Sequence, residues 1–186
     1  MALKATIYKI QAELADMDRN LYCEQSLTIA SHPSETPERM MVRFLAFMLN
    51  VTENNDFGEL EFAKDICETD GPSVWQKNLT GEIEHWIELG QPDERRLLRA
   101  CGKSRRVSVY AYGTSVGIWW SGIAEALKRT RNLTVWQLPA AETQALAALA
   151  GKTMKLHVSV QDGTAWVADG ARSVEVNPVR LMSPEG

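Results

Sequence analysis

The feature that most restricts the fold of this 186-residue chain lies in its middle, between Glu82 and Tyr112. Residues 82–89 alternate in character. Ile83, His85, Ile87 and Leu89 share one face, and Glu82, Glu84, Trp86 and Glu88 share the other, which is the period of a strand. Gln91-Pro92-Asp93 ends that strand and opens a helix, with proline and acidic residues near its first turn. Leu97, Leu98 and Cys101 mark the apolar side of this helix and Gly102 its stop. Val107 to Tyr112 is strand again. Two strands joined through one helix lie parallel, with a right-handed crossover, so the chain is of the α/β kind.

The flanks fit around that unit. In 5–15, Tyr8, Ile10, Ala12 and Leu14 alternate with Lys9, Gln11 and Glu13. Asp16-Met17-Asp18-Arg19-Asn20 is a turn, and the next strand carries Leu21, Cys23, Leu27 and Ile29 on one side, interrupted by Gln25. Thr36 is placed to cap a helix that Pro37 begins; Met41, Phe44, Leu45 and Met48 give helix 37–50 one face to pack on a sheet. Residues 59–67 suit either a strand or a helix. Val74 to Asn78 is short and extended, and Leu79-Thr80-Gly81 turns the chain. A helix from Thr114 or Ser115 to about Thr130 carries Ile118, Trp119 and Ile123, Leu133 to Leu138 is a strand, and 140–150 is helical. Strands 153–160, 164–168 and 172–177 close the chain, turning at Gln161-Asp162-Gly163-Thr164 and Ala168-Asp169-Gly170. With no repeat and no linker, the expectation is one α/β (α+β) domain over 1–186. It has a mixed central sheet flanked by helices, an N-terminal β-hairpin and a C-terminal β-meander.

Composition narrows the function classes. Hydrophobic residues make up 45% and charged ones 24%, which excludes a disordered or low-complexity chain. The net charge of −4 excludes a chain-wide basic footprint, so any phosphate binding has to be local. Cys23, Cys67 and Cys101 are odd in number and far apart, which suits free thiols in a reducing compartment. No basic start leads into an apolar run and no 18-residue apolar stretch occurs, so the expected location is cytoplasmic, away from membranes.

Acidic residues on a central strand are costly to bury unless they pair or hold a cation. Glu84 and Glu88 cannot share one ion, because four strand residues span about 13 Å. A partner for Glu88 has to come from across the hairpin. A Leu79-Thr80 loop sets Glu88 opposite Gly71, and a Thr80-Gly81 loop sets it opposite Ser73. Asp70 is the nearest carboxylate either way, with Glu68 farther off.

Pro72-Ser73 followed by Ile87-Glu88-Leu89-Gly90 resembles the PD-(D/E)xK nuclease signature, with Ser73 where the Asp stands and Gly90 where the Lys stands. That resemblance implies Mg²⁺ or Mn²⁺ held by Glu88 and a second carboxylate, for which Asp70 is the candidate from the hairpin, and a cation to steady the transition-state charge. A more specific resemblance spans the whole chain. His32-Pro33-Ser34-Glu35-Thr36, Glu38-Arg39-Met40-Met41, Trp86 to Arg96, Ala165-Trp166 after Gln161-Asp162-Gly163, and the opening Met1 to Lys9 are similar to the YaeQ family of small bacterial proteins. This implies a variant of the restriction-endonuclease-like fold and no established activity.

Arg95, Arg96, Arg99, Lys103, Arg105 and Arg106 form a basic run after Glu88. Arg95 and Arg99, and Arg99 and Lys103, are i, i+4 neighbours on the helix. Arg95, Arg96, Arg99 and Lys103 are the candidate nucleic-acid contacts. Arg96, Arg95, Lys103 or Lys77 could stand in for the missing Lys, and the plain alternative is a solvated helix face. Glu38 is a candidate third metal ligand, against a first-turn acid favoured by the helix dipole. Arg39 and Arg43 are placed to pair with Glu35 and Glu38. His85 fits a hydrogen-bonded core position, and the six Trp are scattered over separate elements. No phosphate-cradling glycine loop, zinc pair or GxSxG elbow occurs, so no organic cofactor is expected.

Three readings follow. The chain is a metal-dependent phosphodiesterase using Glu88, Asp70 and Arg96. Or it is an inactive relative that binds nucleic acid or a protein partner through the degenerate site. Or it is a protein-interaction module using the C-terminal β-meander. Loss of both the Asp and the Lys favours the two binding readings over the enzyme.

Overall fold

The computed structural model describes residues 4–63 and 71–184. Segment 64–70, which holds Glu68, Asp70 and Cys67, lies outside them. The elements run β1 (Thr6–Asp16), β2 (Leu21–Ser31), α1 (Pro37–Asn50), β3 (Leu60–Phe62), β4 (Val74–Lys77), β5 (Ile83–Leu89), α2 (Glu94–Lys103) and β6 (Ser104–Ala111). They continue α3 (Val116–Leu127), β7 (Leu133–Gln137), α4 (Ala140–Ala147), β8 (Thr153–Gln161), β9 (Thr164–Ala168), β10 (Ser173–Val176) and β11 (Val179–Met182). The strands divide between two mixed sheets, and the chain divides into two compact units, 1–53 with 141–177 and 54–140 with 178–186.

The first unit holds the sheet ordered β10-β9-β8-β1-β2. β1 and β2 form the expected hairpin, paired without a break from Thr6↔Ser31 to Asp16↔Leu21. Asn20 closes its turn at φ 53, a left-handed conformation that Asn tolerates better than most residues. Asp16 pins the turn by accepting from the Arg19 backbone N–H at 3.0 Å and from Arg19 Nε at 2.6 Å. β1 also pairs in parallel with β8, which ties the hairpin to the β8-β9-β10 meander. The period-2 pattern decides the faces: Ile10, Ala12 and Leu14 are buried while Lys9, Gln11 and Glu13 are exposed.

Thr36 caps α1, its Oγ1 accepting from the Arg39 N–H at 3.1 Å. The one-sided packing expected of this helix is not what forms. Every residue from Met40 to Met48 is buried. Met40, Val42, Ala46 and Phe47 lie off the predicted stripe and are themselves apolar, and a helix apolar all round is buried all round. Arg43 is carried in with them and is held by Glu35 Oε1 at 2.7 Å and the Ala30 carbonyl at 3.1 Å.

The second unit holds the sheet ordered β11-β7-β6-β5-β4-β3, with β5 and β6 parallel as the central unit requires and β7 added parallel to β6. One face carries Trp86, Val107, Val109, Leu133 and Val135 against Leu97 and Ala100 of α2 and Leu127 of α3. Each fully buried Val or Leu among them contributes roughly 1.5–3 kcal/mol. Two expectations change here. Leu98, assigned to the apolar side of α2, is 40% exposed, and Ala100 takes the buried position. β11 was not expected. It adds antiparallel to β7, and Leu181 and Met182 pack on the core cluster. Four residues after Pro178 are too few to display a period.

Candidate functional site

Glu88 takes its place from the β4–β5 hairpin. Val74 pairs with Ile87, Trp75 with Trp86 and Gln76 with His85, which sets Glu88 opposite Ser73. The Ser73 N–H donates to the Ile87 carbonyl at 3.1 Å. The turn is neither of the two-residue loops expected from sequence. Asn78 N–H donates to the Glu82 carbonyl at 2.9 Å across the three residues Leu79, Thr80 and Gly81, and the register shifts between Gln76 and Lys77. Gly81 sits at φ 86 and supplies the left-handed residue such a loop needs.

Glu88 is 3% exposed. Its Oε1 accepts from Trp86 Nε1 at 2.9 Å and from Arg96 Nε at 2.8 Å. Arg96 also donates through a terminal nitrogen to the Gly71 carbonyl at 2.6 Å. The guanidinium thus bridges β5 and the segment leading into β4. α2 supplies it because Asp93 caps the helix, its Oδ1 accepting from the Arg96 N–H at 2.8 Å. Arg96 therefore stands in the first turn, where its side chain reaches back along the end of β5.

Gly90, which stands where the signature has Lys, ends the strand at φ 84 and donates its N–H to the Tyr110 carbonyl at 3.0 Å. The chain leaves the sheet at this residue, in a conformation a Lys would adopt only with strain. Lys77 lies with its Nζ 3.5 Å from the centre of the Trp75 ring. Glu38 belongs to the first unit, where its Oε1 accepts from Thr143 Oγ1 at 2.7 Å. Asp70 lies outside the described residues. Among the described residues no group of three or more His, Cys, Asp and Glu is arranged to hold a metal ion.

Two nucleophile candidates are placed in chemically quiet settings. His85 Nε2 lies 2.8 Å from Ser108 Oγ, and both residues are buried. Arg106 contacts Nδ1 of the same ring at 3.2 Å. A guanidinium can only donate, so Nδ1 accepts, and the ring proton sits on Nε2 and is given to Ser108. The imidazole therefore cannot take a proton from Ser108, which is the reverse of what a serine nucleophile requires. Burial first, and then the Arg106 charge, lower the His85 pKa from 6.5 to about 3. Burial raises the Cys101 thiol to about 11, which leaves little thiolate near neutral pH.

The basic run is larger than the six residues, Arg95 to Arg106, singled out from sequence. Residues 94–131 contain nine Lys and Arg and two Glu, a net of +7 within a chain of net −4. The additional cations are Lys128, Arg129 and Arg131 after α3, a run visible in the sequence as Lys-Arg-Thr-Arg. Several of the nine are occupied. Arg96 holds Glu88, Arg105 Nε lies 3.4 Å from Glu84, Arg106 holds His85, and Lys128 pairs with Glu125. Arg95, Lys103, Arg129 and Arg131 are exposed and have no partner among the described residues. Arg99 is exposed on the same helix, one turn from Arg95 and from Lys103. Lys103 and Arg105 also line a shallow groove of about 440 Å³ with Gly81, Glu82 and Gly102.

Among the described residues, no helix is long and apolar enough to cross a membrane. A family model described as YaeQ protein matches residues 1–178. Curated relatives described as uncharacterised protein YaeQ come from Escherichia coli (strain K12), 40% identical, and Salmonella typhi, 39% identical; both match over 185 residues and 99% of each chain. The crystal structure of a YaeQ protein from Xanthomonas axonopodis pv. citri superposes with a TM-score of 0.91 at 40% identity, covering 97% of this chain and 100% of that one. A YaeQ protein structure from Pseudomonas syringae gives 0.88 at 35% identity, covering 98% of both chains.

Proposed function

The chain belongs to the YaeQ family, and on that premise we propose that it binds nucleic acid and performs no phosphodiester cleavage. The observation that carries the binding reading is the concentration of positive charge over 94–131, with Arg95, Arg99, Lys103, Arg129 and Arg131 exposed to solvent. A cluster of this sign in a chain of opposite net charge attracts phosphates locally and releases counterions on contact. The state of Glu88 supports the absence of cleavage. Its Oε1 already receives two donors, and the cation beside it is an arginine supplied by the protein. A divalent ion at Glu88 Oε1 would compete with the Arg96 guanidinium, which Gly71 also holds through its carbonyl.

Fluorescence anisotropy with short labelled DNA and RNA, single- and double-stranded, tests the reading. Binding is expected at low salt and is expected to weaken steeply as salt rises. The triple variant Arg95→Ala/Lys103→Ala/Arg131→Ala is expected to lose about two to three phosphate contacts, lowering the log–log salt slope by about 0.7–0.9 for each. No binding at low salt would remove the nucleic-acid reading and leave a protein partner. Cleavage that requires Mg²⁺ or Mn²⁺ and disappears in Glu88→Ala would replace it with the phosphodiesterase.

A further inference from the structure

β2 is the last strand of the first unit's sheet, and its open edge has an unusual character. Edge strands are normally protected by Lys, Pro, a bulge or shortness. Leu21–Ser31 is eleven residues long, contains no Lys, Arg, Pro or Gly, pairs with β1 without a bulge and bears one charge, Glu24.

The hydrogen-bond phase identifies which residues face that edge. The Lys9 N–H donates to the Lys152 carbonyl and the Met17 N–H to the Val160 carbonyl, so odd-numbered residues of β1 point their backbone toward β8. Even-numbered residues of β1 therefore bond to β2, and their partners there are odd: Ile10↔Leu27, Ala12↔Gln25, Leu14↔Cys23. The N–H and C=O groups of Tyr22, Glu24, Ser26, Thr28 and Ala30 consequently point outward. Arg43 bonding to the Ala30 carbonyl agrees with this phase and occupies the end of the row.

We infer that this edge pairs antiparallel with the same edge of a second copy of the chain, across a two-fold axis through Gln25. Only registers that match even residues with even residues let outward groups meet. A two-fold at Glu24 sets Glu24 against its own copy, a like-charge pair, and Cys23 against Gln25. A two-fold at Ser26 sets Gln25 against Leu27 and Leu21 against Ser31. A two-fold at Gln25 sets Leu21 against Ile29, Cys23 against Leu27 and Gln25 against Gln25 on the inner face. On the outer face it sets Tyr22 against Thr28 and Glu24 against Ser26. Every pair then matches in polarity, and Tyr22, which is 60% exposed, gains a β-branched neighbour. The row Tyr22, Glu24, Ser26 and Thr28 is used in full, giving about eight inter-chain hydrogen bonds, and Ala30 is left to Arg43. The Gln25 that interrupts the apolar face is the centre of a palindrome: apolar, apolar, Gln, apolar, apolar.

Sedimentation equilibrium of the full chain, together with cysteine crosslinking in a Cys23→Ser background, tests the pairing. Twice the chain mass is expected. The Gln25→Cys variant is expected to form a covalent dimer on mild oxidation, because facing Cα atoms of a non-hydrogen-bonded pair lie about 4.5 Å apart, within disulfide reach. Thr28→Cys is expected not to, because its copy lies six residues along, about 20 Å away. Ser26→Pro removes an outward N–H that makes no bond to β1, and is expected to give a monomer with unchanged far-ultraviolet circular dichroism. A chain that stays monomeric to its solubility limit overturns the pairing and leaves the edge to another occupant. A dimer that crosslinks equally well at Thr28 overturns it in favour of a different face. The crosslinking arm decides even if Ser26→Pro fails to fold.

Discussion

Arg96 Nε and Glu88 Oε1 lie 2.8 Å apart, joining the first turn of α2 to the end of β5, with the carboxylate 3% exposed. A buried carboxylate that loses its cation carries a less compensated charge in a low-dielectric setting, and removing one partner costs more than removing both. Arg96→Ala is expected to destabilise the fold by about 2–4 kcal/mol, below the upper end for buried pairs because the arginine side chain is itself 30% exposed. Glu88→Leu/Arg96→Ala is expected to cost less than the sum of its parts. Urea denaturation of the four proteins of this cycle checks both statements, and simple additivity would show that the pair is not coupled.

The same pair sets the response to metal. A cation bound at a hundred times its Kd stabilises by about 2.7 kcal/mol. With Arg96 in place, Mg²⁺ and Mn²⁺ are expected to leave the thermal midpoint unchanged. A rise that Glu88→Ala abolishes would mean that the carboxylate accepts a divalent ion, and the non-catalytic reading would fall.

His85 makes stability depend on pH with a definite sign. Its pKa is near 6.5 in the unfolded chain and about 3 in the folded one, lowered by burial and then by Arg106. As pH falls below 6.5 the unfolded chain takes up a proton that the folded protein refuses until about pH 3. The stabilisation is present above pH 6.5 and is lost across that window. Between pH 7.5 and 5.5 the expected loss is about 1.4 kcal/mol from this residue. His85→Gln is expected to flatten that part of the profile, measured as urea midpoints at the two pH values. An identical slope in the variant would assign the effect to other groups.

Restoring the signature lysine is expected to fail for a backbone reason. Gly90 is at φ 84, so Gly90→Lys forces a left-handed conformation on a residue with a Cβ, at about 1–2 kcal/mol. A lowered thermal midpoint and no gain of metal-dependent cleavage are expected. Cleavage appearing in Gly90→Lys would show that only the lysine had been missing.

Most of the secondary structure could be read from local pattern. The β1–β2 hairpin, α1 with its Thr36 cap, the β5-α2-β6 crossover and the β8-β9-β10 meander all have a clear period, a cap or a turn signal of their own. Partition of the strands into two sheets, β11 beside β7, and the burial of α1 on every side had no such signal. Each depends on segments far apart in sequence. The site divides in the same way. Alternation along β5 put Trp86, Glu88 and the acids on one face, and the helix phase put Arg95, Arg99 and Lys103 on one ridge.

Sequence alone determined that Glu88 would need a partner, because a carboxylate on a central strand cannot be left unpaired. Tertiary structure decided that Arg96 is the cation placed against it. That outcome depends on Asp93 fixing where α2 begins, on Gly90 turning the chain out of the sheet, and on the Gly71 carbonyl holding the other side of the guanidinium. Side-chain periodicity reports only which face a residue occupies. Which cation meets which carboxylate is set by distances that close when helix, hairpin and sheet pack together.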